Sequence, residues 1–588
     1  MRVGRRRVID DSARGQEAPA GRRLGPRPAR RARASRRPRR ERPSIPVSEN
    51  DKPGHLQGAG GFRSRSKQAG PRRKPSGARS AAGRDVQRGR DRDHAAKGGR
   101  GGARGADRGR KPARGREKRE RTDRRRGGAQ RRAFEYRGLD VPRQVAFETL
   151  LAVAEDAAYA NLQLPAALKK RRLTGRDAAF ATEITYGALR NQGVIDAVLA
   201  DCSSRKLSDV APTVLAALRL GCYQVLYTRV DDHAAVDTTV RLVTATPEAH
   251  AKGFTNAVMR AITRRSPEEW LGRLSPKDEP AATAFRAAHP EWIARSFARS
   301  LAANDAAEPG LEELSRALEA DSERPRVHLA ALPGRMTAEE LALVSGGEEA
   351  HFSPYGVYLD EGDPGELDAV SEGLAIVQDE GSQLIARGLA EAPTEGPDSG
   401  RWLDLCAGPG GKAALIGSIA KIAGAKLTAV EPAAHRARLV REACQGLPVD
   451  VVEADGRDTG LKPGFDRILV DAPCSGLGAL RRRPEARWRK EENDVEGLSA
   501  LQYELLDAAL GLVRPGGVVV YSTCSPDIRE TREVVDRALG AVGDWEIDAH
   551  ALAPKLPGSG RLSSAQLWPH RHGTDAMFFA ALRRPLDS

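Results

Sequence analysis

The chain of 588 residues is 40% hydrophobic, enough to build two to four domains with cores of their own. Its net charge of +17 is unevenly placed: residues 1–140 carry 45 Lys and Arg against 15 Asp and Glu, which leaves 51 against 64 for residues 141–588, a basic tail on a mildly acidic remainder. No run of about 18 apolar residues is present to span a membrane, and the six cysteines form neither a CxxC pair nor a zinc-like Cys/His spacing, so the expectation is a cytosolic protein with reduced thiols and no metal.

Residues 1–138 are rich in Arg, Gly, Pro, Ala and Ser, and before Phe134 they hold one aromatic, Phe62. Such a segment buries too little apolar surface to offset the entropy of ordering it, so a disordered basic tail is expected. Two readings stay open for it: an arm drawn to RNA by counterion release, or a solvated tail with no dedicated site.

Residues 139–265 read as an all-helical domain. Val141, Val145, Leu150 and Leu151 share one face, Phe180 and Ile184 repeat at four, and Val214, Leu218, Cys222, Val225 and Leu226 form another stripe, with Ser208 placed as its N-cap. The segments VPRQVAFETLLAV, DAAFATEITYGALRN, VLAALRLGCYQVLY and GFTNAVMRAI resemble the NusB-like RNA-binding domain. The resemblance implies RNA contact through basic residues such as Arg143, Arg190 and Arg260, each of which reads equally well as an ordinary surface charge.

Residues 266–399 are mixed: HPEWIARSF predicts a helix, RVHLAAL and YGVYLD short strands, and AIVQDEGSQLIARGLA a strand entering a helix, which together suit a small α/β adaptor ending in the linker APTEGPDSG. From residue 400 to 588 the apolar runs RWLDLC, KLTAVEP, VDVVEAD, FDRILVDAP, GGVVVYSTC, DWEIDA and MFFAALRR alternate with helical patterns. That alternation predicts βαβ units and a mostly parallel, Rossmann-like sheet with helices on both faces, binding its ligand at the carboxyl ends of the strands.

The turn Cys406-Ala407-Gly408-Pro409-Gly410-Gly411-Lys412 follows the first of these strands, where glycine lets a cofactor approach the backbone and the next helix offers it an N-terminus. A phosphate-cradling P-loop fails twice, with Cys406 at its first glycine and Ala413 at its hydroxyl; a dinucleotide fingerprint is weakened by Ala413 at its third glycine. Acids close the next three strands, Glu431, Asp455 and Asp471. A carboxylate at the end of the second strand suits a ribose diol, and S-adenosylmethionine carries that ribose without a phosphate. Each acid alone reads equally as a helix cap.

Two further cysteines, Cys474 in DAPCSG and Cys524 in STCSP, directly follow strand ends that face the ligand edge. Carbon-5 of a pyrimidine becomes nucleophilic toward a methyl sulfonium once a thiolate adds to carbon-6, so a nucleophilic Cys, a carboxylate for the base edge and a group that aids release are the parts required. Cys202, Cys222 and Cys444 read as small buried hydrophobes. Arg481, Arg482 and Arg483, beyond Cys474, read either as a grip on phosphates near the target base or as a solvated loop.

LDLCAGPGGK, DAPCSG, STCSP and the closing HGTDAMFFAALRR resemble the signature segments of the RsmB/Sun family of RNA cytosine-5 methyltransferases, which also carry a NusB-like domain. The resemblance implies that Cys406 to Lys412 line the S-adenosylmethionine site and that Glu431, Asp455 and Asp471 bind that cofactor. It further implies Cys524 as nucleophile, Cys474 as the aid to product release, Asp471 also at the cytosine edge and Lys412 close to the reacting base. Two departures are mild: CAGPGGK stands where CAAPGGK is common, and Glu431 where Asp is usual. The expected protein is thus a monomeric bacterial cytoplasmic enzyme acting on RNA, ribosomal first and transfer RNA second. The alternatives are a non-catalytic RNA-binding or assembly factor and, less well supported, a NAD-linked oxidoreductase.

Overall fold

The computed structural model describes residues 134–304, 310–360, 362–553, 555–556 and 563–586; the expected basic tail before Phe134 lies outside the described residues. The first helix, Val141–Glu155, starts where the Asp140 carboxylate accepts the Arg143 N–H at 3.0 Å and Pro142 occupies the first turn, where no donor is needed. Val145, Leu150 and Leu151 are buried, but Val141, in that same first turn, is 37% exposed and does not join their face. Helices Ala160–Arg171, Gly175–Arg190, Gln192–Cys202, Pro212–Tyr227, Asp232–Thr244 and Lys252–Ile262 follow. Val214, Leu218, Cys222, Val225 and Leu226 of Pro212–Tyr227 lie in the shared core. Ser208 is not the cap of that helix: Ala211 precedes it, Pro212 supplies its first turn, and the Ser208 hydroxyl faces the Asp209 carboxylate at 3.1 Å inside a separate 3₁₀ turn.

Helices Pro267–Leu274, Ala281–Arg286, Glu291–Asn304 and Leu311–Ser322 precede the first strand, more helix than the mixed reading of this region predicted. Strands β1 (Val327–Ala331), β2 (Glu348–Glu349), β3 (Gly356–Leu359) and β4 (Ala375–Val377) form an antiparallel sheet in the order β2-β3-β1-β4. β4 leads into helix Glu380–Glu391, capped by the Asp379 carboxylate on Gly381 N–H at 2.9 Å. This helix leaves the small sheet and packs Leu384, Ile385 and Leu389 into the core of the large one.

The large sheet comprises β5 (Arg401–Asp404), β6 (Lys426–Val430), β7 (Val449–Val452), β8 (Phe465–Asp471), β9 (Val513–Thr523), β10 (Glu546–Ile547), β11 (Ala565–Gln566) and β12 (Phe578–Arg583). Its order is β10-β12-β9-β8-β5-β6-β7, with β11 on β12; β7 through β9 pair in parallel and β12 runs antiparallel to β9. Alternation along β9 explains the two covered faces: Val518 and Val520 enter the core under helices Glu380–Glu391 and Gly411–Ala423, while Val519 and Tyr521 enter the core under Asp494–Leu512 and Arg532–Val542. The chain runs outward from β5 through β6 and β7, then crosses back to β8, so the loops after β5 and β8 diverge. The crevice at this reversal is where such sheets take their ligands.

Candidate active site

Two glycines of the turn after β5 sit where a side chain is crowded or strained. A Cβ on Gly408 would lie 2.1 Å from Glu431 Oε2, and Gly410 has φ +116°, where an added Cβ would also lie 3.0 Å from Val440 Cα. Pro409 and Gly410 then deliver the chain into helix Gly411–Ala423, and Ala407 N–H is held by Val430 O at 2.9 Å. Glu431, just past β6, is 2% exposed; its Oε1 accepts Ala433 N–H at 3.0 Å and its Oε2 faces Arg436 Nε at 3.4 Å. Cys406 packs on the sheet core, and burial pushes its thiol up. Asp455 sits three residues past β7, exposed and paired with Arg457 at 2.7 Å, whose hydrogen bonds hold its carboxyl down at about 2.

Asp404, the last residue of β5, was not among the expected site residues. It is 1% exposed, its Oδ2 has no hydrogen-bond partner, and burial, reinforced by Asp471, raises its carboxyl to about 7. Lys412 Nζ lies 2.9 Å from Asp471 Oδ2, and the Ser522 hydroxyl donates to Asp471 Oδ1 at 2.9 Å. Burial opposes the charge on Lys412, but the Asp471 carboxylate outweighs it and holds the ammonium above its ordinary value.

The register Asp471↔Ser522 sets the ends of β8 and β9 side by side, and the loops beyond them bring Cys474 Sγ within 3.3 Å of Cys524 Sγ. The hydrogen bond from Cys474 lowers the Cys524 thiol, with Lys412 assisting against burial and Asp471. The same bond, burial and the nearby Glu530 carboxylate raise Cys474. Either sulfur can donate in this contact, and the opposed shifts favour Cys524 as the thiol that loses its proton first. The Cys524 carbonyl accepts Gly478 N–H at 2.9 Å, and Gly478 O accepts Ala576 N–H at 2.9 Å.

The arginines separate into two groups. Arg481, 6% exposed, and the half-buried Arg482 turn inward onto Asp575 at 2.7 and 2.9 Å, and Arg482 also reaches Asp379 at 2.8 Å, so neither offers a free guanidinium to a phosphate. Arg143 is likewise engaged: it braces Gln224 at 2.7 Å and Asp140 at 2.7 Å and lies over Phe180. Arg190 is half-buried over Tyr186, and burial lowers it. Arg260 and Arg483 are exposed, the latter beside the exposed ring of Tyr159.

Residues 392–583 match the family model described as 16S rRNA methyltransferase RsmB/F, and residues 140–264 match that of the NusB family. A putative methyltransferase of Mycobacterium tuberculosis is 53% identical over 452 residues, covering 76% of this chain and 97% of the relative. A probable ribosomal RNA small subunit methyltransferase B of Bacillus subtilis is 30% identical over 472 residues, covering 75% and 98%. The crystal structure of PH0851 superposes with a TM-score of 0.64 at 22% identity, covering 76% of this chain and 100% of that one, a likeness of fold.

Proposed function

This chain belongs to the 16S rRNA methyltransferase RsmB/F family, and we propose that it methylates carbon-5 of a cytosine in RNA, with 16S ribosomal RNA as substrate. The observation that carries the reading is the thiol pair: Cys524 beside Cys474 at 3.3 Å, next to the Lys412–Asp471 ion pair, with the Cys524 thiol lowered. Cytosine is a weak nucleophile at carbon-5 until its ring is activated, and an available thiolate is the activating group. Cys524 adds to carbon-6, the displaced π pair makes carbon-5 the attacking atom, and carbon-5 would take the methyl group as the bond from that methyl to the sulfonium sulfur breaks, its pair staying on sulfur as a neutral thioether. The proton on carbon-5 then leaves to water, the S–C6 bond breaks, the ring double bond is restored and Cys524 departs as thiolate. Cys474, whose sulfur lies 3.3 Å from that of Cys524, donates a hydrogen bond to the departing thiolate. Asp471, steadied by Lys412 and Ser522, accepts from the exocyclic amine of the base.

S-adenosylmethionine supplies the methyl group when bound. The turn fits it: the glycines leave room for close approach, the buried Glu431 suits a ribose diol, and the unpartnered Asp404 Oδ2 needs a donor or a cation. Asp455 and residues Cys406 to Lys412 are assigned to the same site because they follow the carboxyl ends of the parallel strands β7 and β5. The base reaches Cys524 only when taken out of its stack, and the exposed Arg260 and Arg483 steady the flanking phosphates. The enzyme works as a monomer in the bacterial cytoplasm, where ribosomal RNA is made.

The test is transfer from labelled S-adenosylmethionine to unmodified 16S rRNA by the wild type, Cys524→Ala and Cys474→Ala. No transfer is expected from the first variant and a persistent protein–RNA adduct from the second. Normal methylation by Cys524→Ala would refute the chemistry.

A further inference from the structure

Neither thiol stands on a strand: Cys474 follows β8 by three residues and Cys524 follows β9 by one. A hydrogen bond between two loop side chains persists only if both loops are held. The group that holds them is a buried carboxylate to which the chemistry above gives no part. Glu530, in the 3₁₀ turn Ile528–Glu530, is 0% exposed. Its Oε1 accepts Ser475 N–H at 2.7 Å and Gln502 Nε2 at 3.1 Å, and its Oε2 accepts the Ser475 hydroxyl. Gln502 Nε2 also donates to Pro473 O at 2.9 Å. The carbonyl before Cys474 and the amide after it are therefore tied to one carboxylate.

The tie extends to the other loop. Ser475 Oγ lies 3.2 Å from Ser525 Oγ, the residue after Cys524, so a pair of serines runs beside the pair of cysteines. Tyr521, on β9 before Cys524, donates its hydroxyl to the Glu530 carbonyl at 2.7 Å and fixes the turn itself. A buried carboxylate is costly, and an apolar side chain of the same volume would fill this space with less penalty. What the carboxylate adds is directional: its donors come from Ser475 and from the Gln502 amide that also holds Pro473.

We propose that Glu530 is a positioning residue for product release: through Ser475 and Gln502 it fixes Cys474 where its thiol can hydrogen-bond the departing Cys524 sulfur. This rests on the cytosine-5 reading above and assigns its rate of release to a residue that touches neither base nor cofactor.

The experiment uses the full chain, S-adenosylmethionine and unmodified 16S rRNA, and times two events separately. Adduct formation is the rise of the denaturant-resistant protein–RNA band in a single turnover, and release is steady-state production of methylated RNA. Glu530→Gln keeps the volume and sets an amino group against donors. Formation at the wild-type rate with release slowed on the order of tenfold is expected, so that the adduct accumulates. Ser475→Ala, which keeps its backbone N–H, shifts the same ratio by less and serves alone if Glu530→Gln does not fold. Equal slowing of both events, or unchanged release, overturns the positioning role. Cys524→Ala in parallel separates the failures: if it methylates, the parent chemistry falls, and if it is inactive while release by Glu530→Gln is normal, only the role of Glu530 falls.

Discussion

Replacing Gly478 by alanine tests whether the backbone behind the nucleophile sets the rate. A Cβ at this position would lie 1.9 Å from Ala576 O, 2.8 Å from Ala576 C and 3.0 Å from Cys524 O. All three are backbone atoms, so no side chain can swing aside, and the loops must part by about 1 Å. The bonds Gly478 N–H to Cys524 O and Ala576 N–H to Gly478 O, both 2.9 Å, are then lost or stretched. Two such buried groups cost about 1–3 kcal/mol each, against about 0.8 kcal/mol returned by burying the new methyl. A net loss of about 1–5 kcal/mol takes a large share of an ordinary domain's stability of about 5–15 kcal/mol, so the thermal melt is read beside the rate to show that Gly478→Ala is folded at the assay temperature. Its activity suffers more, because displacing a reacting group by about 1 Å costs on the order of 100-fold in rate. The assay is single-turnover methyl transfer beside a thermal melt. Gly497→Ala is the control, since its Cβ meets nothing within 4 Å on helix Asp494–Leu512. A Gly478→Ala enzyme with wild-type single-turnover rate would refute the reasoning.

Asp404 predicts a pH dependence. Its folded carboxyl is raised from 3.8 to about 7, so between those values the folded state keeps a proton that the unfolded chain has released, and without cofactor stability falls as pH rises through that window. Asp404→Asn should flatten the difference between urea-unfolding stabilities at pH 5 and pH 8, about 3 kcal/mol for the two pH units in which the folded carboxyl alone keeps its proton, while weakening cofactor binding in calorimetry; an unchanged slope sinks the idea. Arg487 is 0% exposed and meets Asp321 Oδ2 at 3.0 Å, beside a His289 that burial lowers to about 4. Arg487→Ala strands the Asp321 charge and should cost about 3–5 kcal/mol by chemical denaturation, with a loss well under 1 kcal/mol counting against the bridge. Salt titration of RNA binding separates the arginines: Arg483→Ala and Arg260→Ala should each lower the slope of log affinity against log salt by about 1, whereas Arg482→Ala should leave the slope and lower the melting temperature.

The large sheet was readable because strand periodicity and burial carry the same information: each apolar run from RWLDLC to MFFAALRR holds a strand, and β9 shows the alternation directly. Asp404 was within reach of the same logic that picked out Glu431 and Asp471, since it too ends a strand at the ligand edge, but the apolar run RWLDLC continues past it and hides where the strand stops. The three arginines after Cys474 could not be sorted by sequence, because what distinguishes Arg481 and Arg482 from Arg483 is Asp379 and Asp575, each about a hundred residues away along the chain. Glu530 gave no local sign for the same reason, as its partner Ser475 is 55 residues distant. Ser208 failed differently: a proline four residues later starts the helix without any side-chain acceptor.

One stretch, residues 471–489, joins chemistry to the helical domain. It begins with the carboxylate at the end of β8, passes Cys474 and the Gly478 contact behind Cys524, and then anchors Arg481 and Arg482 on Asp379 and Asp575. Its far end enters the first helices: Ala160 N–H donates to Glu485 at 3.1 Å, Trp488 donates to Leu189 O at 2.8 Å, and Arg489 holds Val153 O and Ala158 O at 2.7 and 2.8 Å. Leu477 and Leu480 meanwhile pack with Ile293, Phe297 and Trp568, so the middle of the stretch is core and not a free loop. The helical domain and Cys474 are therefore joined by one short stretch that is hydrogen-bonded or packed at both ends and in its middle. If the exposed Arg260 holds RNA as proposed, the contacts of residues 485–489 with the helices would let binding there help orient the target base before the chemical step.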